Sequence, residues 1–161
     1  MDGLYVVLKM KRSEIIAQLE SECLPRFEII ANAIRSRHPE FRIVVGSGSV
    51  GGNTEFQGHH AFINCYRQDS ANPEPNCVTL EICIRDLDGT PTLCGVDVTW
   101  GGDGIAPCDS FDHLPYSKPW SDDAMRLVET QIPLLESELD SCLSAWKHTY
   151  LLNEEAQQDA P

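Results

Sequence analysis

The sequence predicts an α+β fold: a four-stranded antiparallel meander sheet packed on one face by an N-terminal and a C-terminal helix, in the order α-β-β-β-β-α. Three observations predict it. Apolar residues recur every three or four positions over 13–37 and again over 121–152. Between these stretches they alternate with polar residues, the period of a half-buried strand. No helical pattern separates the strands, so neighbours in sequence pair antiparallel as a meander.

The first helix is read over 13–37. Ile16, Leu19, Cys23, Phe27, Ile30 and Ile34 form its stripe. Ser13 is placed to cap it, with Glu14 in the first turn. Arg35, Arg37 and His38 suit its C-terminal dipole, and Pro39 ends it. Pro25 removes a backbone donor mid-pattern. The stripe keeps phase across it, which favours a kink over a break. Met10-Lys11-Arg12-Ser13-Glu14 reads as a natural beginning, and residues 1–9 read either as an upstream extension or as a first strand.

Phe41, Ile43 and Val45 open the first strand, which runs into Gly46-Ser47-Gly48-Ser49-Val50-Gly51-Gly52. The second strand is His60 to Tyr66. Gln68 to Asn76, with Pro73 and Pro75, is a loop. Val78, Leu80, Ile82 and Ile84 alternate with Thr79, Glu81, Cys83 and Arg85. Val96, Val98 and Trp100 resume the pattern against Asp97 and Thr99. Asp88-Gly89 marks the turn of this hairpin. Residues 101–120 form a long loop, a length that is uncommon in a compact domain unless it is functional or mobile.

The second helix is read over 121–152. Ser121 caps it, Asp122 and Asp123 fill the first turn, and Val128, Ile132, Leu135, Leu139, Cys142, Trp146 and Tyr150 form the buried stripe. Pro133 is a second mid-helix kink. Residues 1–152 make a single domain, and the polar stretch 153–161 is expected to fray as a flexible tail. At 161 residues, with 42% apolar and 23% charged content, the chain has material for a core and is not of disordered composition.

Charge is unevenly distributed. Residues 1–67 carry eight Lys/Arg against seven Asp/Glu; residues 68–161 carry four against eighteen. The acid therefore sits in the second half, which repels nucleic acid and anionic membrane and favours a basic protein partner. No apolar run approaches the roughly 20 residues of a membrane span. Leu4 to Leu8 is too short for a secretory signal, and its basic residues follow rather than precede it. The seven cysteines include no C-x-x-C pair. Their odd number leaves at least one free or paired with another chain. Four fall in strand segments, where a reduced thiol acts as a small apolar residue. The expectation is reduced thiols and a cytoplasmic protein.

Gly46-Ser47-Gly48-Ser49-Val50-Gly51 matches a G-x-G-x-x-G count, but no helix opens after it, and a phosphate loop needs a helix N-terminus. A bulged strand followed by a turn is the plainer reading. The glycines would also admit another chain's backbone. His59 and His60 invite a metal reading with Asp97, Asp103, Asp109 or His113 as co-ligands. Adjacent strand residues point to opposite faces, so one site does not use both, and no metal or cofactor is expected. Glu81 and Asp97 share the polar face. They oppose each other if the hairpin centres on Gly89; if it centres on Thr90, Glu81 meets Thr99 and Asp97 meets Cys83. Cys108 with His113 is a poor nucleophile pair, because Asp103, Asp109 and Asp112 surround it with negative charge.

Two functions follow. The first is a small acidic binding module, of inhibitor or immunity type, that occludes a basic partner through Trp100, Asp103, Asp109, Phe111, Asp112, Tyr116 and Trp120. Aromatic anchors there supply buried area and acids supply steering. The same residues also fit a loop packed over the sheet by its own aromatics. The second is a small enzyme or ligand-binding domain with a polar cleft of His59, His60, Glu81, Asp97 and His113. Homodimerisation through the sheet edge or the kinked helices is compatible with both.

Overall fold

The computed structural model describes residues 12–50, 58–67, 76–87, 89–101, 106, 111–112 and 117–158, with 12, 50, 111–112 and 150–158 described by their backbone alone. Helix α1 spans Arg12–Arg37 and buries Ile15, Leu19, Cys23, Phe27, Ile30, Ala31 and Ile34. Ile15, not Ile16, begins this stripe. Counting back from Phe27 in steps of four reaches Cys23, Leu19 and Ile15, one ridge of the helix. Pro25 lies within the same unbroken helix on its exposed side. The carbonyl it leaves without a helical donor belongs to exposed Ser21.

Four long strands follow: β1 (Phe41–Val50), β2 (Gly58–Arg67), β3 (Cys77–Leu87) and β4 (Thr90–Gly101). They pair antiparallel in sequence order, the expected meander. Two further strands of two residues, β5 (Phe111–Asp112) and β6 (Lys118–Pro119), both pair with β4 and were not expected. Each is too short to show periodicity. The glycine-rich run through Val50 is strand, in unbroken register with β2. It is neither a phosphate loop nor bulged.

The bulge lies instead on β4. Leu87 pairs with Thr90 around a turn in which Gly89 has φ 81°, a value that favours glycine. From there Ile84 pairs with Leu93, but Cys83 pairs with Gly95, so Cys94 is the extra residue. This slip sets the final register, and Glu81 faces Asp97. Of the two alternatives, the Glu81–Asp97 pairing is the one found, reached by a tighter turn plus a bulge.

Helix α2 spans Asp122–Gln158. The Ser121 hydroxyl accepts from Ala124 N–H at 3.3 Å, the expected cap. Val128, Ile132, Leu135, Leu139, Cys142 and Trp146 are buried as read, together with Ala124, Met125 and Leu143. Residues 153–158 continue the helix where a frayed tail was expected. Cys142 is disulfide-bonded, against the expectation of uniformly reduced thiols, while Cys23, Cys65, Cys77, Cys83 and Cys94 are free. Its place on an apolar stripe made it read as a small core residue, and spacing carries no pairing information.

Helix α1 packs on β1 and β2, and α2 on β3 and β4. One apolar cluster joins both helices to the inward residues of the sheet, among them Ile63, Leu80 and Val98. At the layer's end Trp146 packs against Phe41 and Trp100, with ring centroids 4.9 Å apart in both pairs. Asp140 on α2 accepts from His38 at 2.8 Å and from Arg37 at 3.1 Å, tying the end of α1 to α2. Among the described residues no helix is long and apolar enough to cross a membrane.

Candidate functional site

With both helices on the inner face, the outer face carries the side chains left for function. Strand alternation and register arrange them in four ranks, each crossing β1 to β4. They read Arg42–Tyr66–Cys77–Gly101, Val44–Asn64–Thr79–Thr99, Gly46–Phe62–Glu81–Asp97 and Gly48–His60–Cys83–Gly95. The large groups stand on the two central strands, and glycine holds several of the flanking positions.

The glycines of β1 have a steric reason. The Phe62 ring leans over Gly46, where an added Cβ would lie 2.8 Å from Cζ. Real Cβ atoms do not approach so closely, so Gly46 is required for this ring position. His60 leans the same way over Gly48, its Nε2 3.9 Å from where a Cβ would stand. The two rings pack together with centroids 4.8 Å apart. The Gly-Ser alternation thus puts bare backbone on the outer face and hydroxyls on the inner one.

Polar contacts join the ranks. His60 Nδ1 donates to Glu81 Oε2 at 2.8 Å. That bond fixes the ring and leaves Nε2 above the glycine row. Asp97 stands opposite Glu81. Thr79 Oγ1 donates to Asn64 Oδ1 at 2.9 Å, and Asn64 Nδ2 donates to the Tyr66 hydroxyl at 3.1 Å. Arg42 covers the Tyr66 ring at 4.9 Å, a cation–π contact. His60 and Glu81 keep about a quarter of their side-chain surface exposed, at 24% and 29%. The face is a pre-ordered platform open to solvent at its polar groups.

His59 leaves the expected polar cleft. It points inward, as strand alternation requires, and its Nε2 donates to Glu20 Oε1 at 2.9 Å. Ser47 donates to the same oxygen at 2.9 Å. Serine, histidine and carboxylate are the residue types of a hydrolytic triad, but the order is wrong. Serine and histidine both serve the carboxylate, so no base activates the hydroxyl. This cluster anchors α1 to β1 and β2. Of the remaining cleft residues, His60, Glu81 and Asp97 gather on the outer face, while His113 lies outside the described residues.

Among the residues expected to bind a partner, Trp100 and Trp120 pack against the core rather than standing free. Trp120 Nε1 also donates to Gln18 of α1 at 3.0 Å. The backbones of Phe111 and Asp112 form β5, where Asp112 pairs with Asp97 and Phe111 with Val98. Asp103, Asp109, Tyr116 and Cys108 lie outside the described residues. Among the described residues no three His, Cys, Asp or Glu side chains gather as metal ligands. A cavity of about 360 Å³ opens beside Arg35, Pro39, Phe41, Arg42 and Ile43, and none of the cleft residues lines it.

Sequence reasoning missed Phe62, Tyr66, Asn64 and Glu20. Strand parity alone could have placed the first three on the outer face beside Glu81. Comparison with protein-family models, with curated proteins and with solved structures finds no match to this chain in any of the three.

Proposed function

We propose that the chain is a protein-binding module of inhibitor or immunity type, which seats a basic partner on the outer face of its sheet. The supporting observation is the rank Gly46–Phe62–Glu81–Asp97 with His60 beside it: a ring held over bare backbone next to opposed carboxylates. A rigid aromatic anchor costs little entropy to bury, and adjoining acids select a cationic segment. The excess acid of residues 68–161 steers such a partner from a distance. Asp103, Asp109 and Asp112 add to that field.

The test uses the immobilised full chain. It should capture a basic protein from native lysate at low salt and release it along a salt gradient. Phe62→Asp, or Glu81→Lys with Asp97→Lys, should abolish capture while the fold persists by circular dichroism. Reversing Asp103, Asp109 and Asp112 together should weaken capture less. Retention of full capture by the Glu81/Asp97 double variant would remove the sheet face from the interface.

A second reading rests on the same His60–Glu81 bond. A carboxylate that orients a histidine beside a second carboxylate is the raw material of acid–base chemistry. It predicts a small ligand whose binding is lost in His60→Gln and kept in Asp103→Asn. Titration of a ligand library against both variants separates the two readings.

A further inference from the structure

The bulge on β4 has a chemical consequence. In a regular ladder one residue of β4 would face Cys83; here Cys94 and Gly95 share that place. A residue inserted between inward Leu93 and inward Val96 carries Cys94 onto the face that holds Cys83. Gly95 then lets the strands close, since a Cβ there would lie 3.1 Å from the Cβ of Cys83. The Cys94 thiol donates to the Cys83 carbonyl at 3.6 Å, and the Cys83 thiol to the Ile84 carbonyl at 4.0 Å. Gly95 is the residue directly opposite Cys83 and Cys94 is its bulged neighbour, so the two thiols stand beside each other on adjacent strands.

The two thiols differ in surroundings. Cys83 is buried at 3% exposure and Cys94 is half-buried, open on one side. Arg85, two residues beyond Cys83 on the same face, brings its positive charge to bear on both thiols.

We infer that Cys83 and Cys94 form a redox-active dithiol, in which the more exposed Cys94 attacks a small-molecule disulfide such as oxidised glutathione and the buried Cys83 resolves the adduct. In the first step Cys94 sulfur, as thiolate, bonds to one glutathione sulfur. The glutathione S–S bond breaks, and one glutathione leaves with the electron pair and takes up a proton. In the second step Cys83, its proton passed to solvent, attacks Cys94 sulfur and expels the second glutathione. Two protein thiols are oxidised by two electrons, and one disulfide is reduced to two molecules of glutathione.

Electrostatics assigns the same roles. The neighbouring Cys83 thiol, with help from the Arg85 charge, draws Cys94 down to about 7 against the opposing effects of burial and Glu81. The same interaction, with burial, pushes Cys83 upward. His60 of β2, which pairs with Cys83, and Glu81 and Asp97 are the other titratable groups in these ranks. Burial pushes Cys23 up to about 12 and Cys65 higher still, so neither competes. Cys77 is the other half-buried free thiol among the described residues.

The experiment treats the full chain with oxidised glutathione at neutral pH and maps peptides by mass, without reductant, so that the Cys142 disulfide persists. Wild type should yield one new disulfide joining Cys83 to Cys94. Cys83→Ser should instead accumulate a glutathionyl group on Cys94, and Cys94→Ser should yield neither product. Limiting iodoacetamide on wild type needs no substitution. Cys94 should be alkylated about tenfold faster than Cys77, with a midpoint near pH 7 that rises in Arg85→Met. Oxidation that leaves Cys83 and Cys94 fully alkylatable, or alkylation that reaches Cys77 first, would overturn the proposal.

Discussion

Phe62 and Ile63 are neighbours on β2 that are held in place by different forces. Ile63 points inward and is fully buried, in a rank that runs Val45–Ile63–Leu80–Val98. Its position follows from removing apolar surface from water. Phe62 points outward and is only half-buried. What fixes it is room above Gly46, the His60 ring at its side and the Glu81 register. The inner face therefore specifies the fold through volume, and the outer face specifies an arrangement through missing volume and hydrogen bonds. Damage to the first should unfold the chain. Damage to the second should reshape the platform and leave the fold standing.

The largest expected effect lies inside. Ile63→Ala opens a cavity in a layer with no solvent access and should cost about 2–5 kcal/mol. Thr79→Ala on the outer face removes the part-buried hydrogen bonds of Oγ1 with Asn64 and Cys77 and should cost about 1 kcal/mol. Urea unfolding of both variants checks the contrast. Equal losses would mean that the two faces are not mechanically distinct.

An intermediate effect lies at the glycine row. Gly46→Ala puts a Cβ against the Phe62 ring and should cost about 1–3 kcal/mol, since the ring must move or the strands must part. In a Phe62→Leu background the same change should cost less than about 0.5 kcal/mol, because the obstructing ring is gone. A double-mutant cycle measures this. Additive losses would show that Gly46 serves the backbone and not the ring.

The inner face was legible because burial repeats. The stripes Leu19–Cys23–Phe27 and Val128–Ile132–Leu135 and the alternation of Val78–Leu80–Ile82 each carry one period, and those elements appear where the period puts them. The outer face was legible only within a hairpin. Turn geometry offered the Glu81–Asp97 pairing as one of two alternatives, whereas the His60–Glu81 bond depends on register across the 68–76 stretch, which local sequence does not encode. Glu20 reaches Ser47 and His59 from another element, at separations of 27 and 39 residues. The Cys94 bulge did leave a mark. Leu93 and Val96 are three apart and both buried, a spacing that unbroken alternation does not allow. The two-residue strands and the Cys142 disulfide left none, because neither makes a periodic pattern.

A smaller effect tests whether the outer ranks act as units. His60→Gln and Glu81→Gln each remove one partner of a part-exposed bond and should cost about 1 kcal/mol apiece. If the bond holds the rank together, the double variant should lose about as much as either single one. Fully additive losses would separate the two residues and leave Phe62 as the only anchor of the platform.

The smallest effect belongs to neither face and calibrates the others. Lys147 of α2 reaches Glu40, in the turn before β1, at 2.9 Å. The bond from Lys147 holds the Glu40 carboxyl below its ordinary value, although both side chains remain partly exposed, at 31% and 47%. A carboxyl depressed in the folded state stabilises above its unfolded pKa, and that contribution is lost as pH falls through the folded value. Lys147→Met should therefore cost less than about 1 kcal/mol at neutral pH, as exposed pairs do. The gap between wild type and variant should shrink as acid protonates Glu40, and added salt should reduce it at neutral pH. A gap that instead stays constant down to strong acid would mean that the aliphatic stem of Lys147, and not its charge, covers the end of the core beside Trp146.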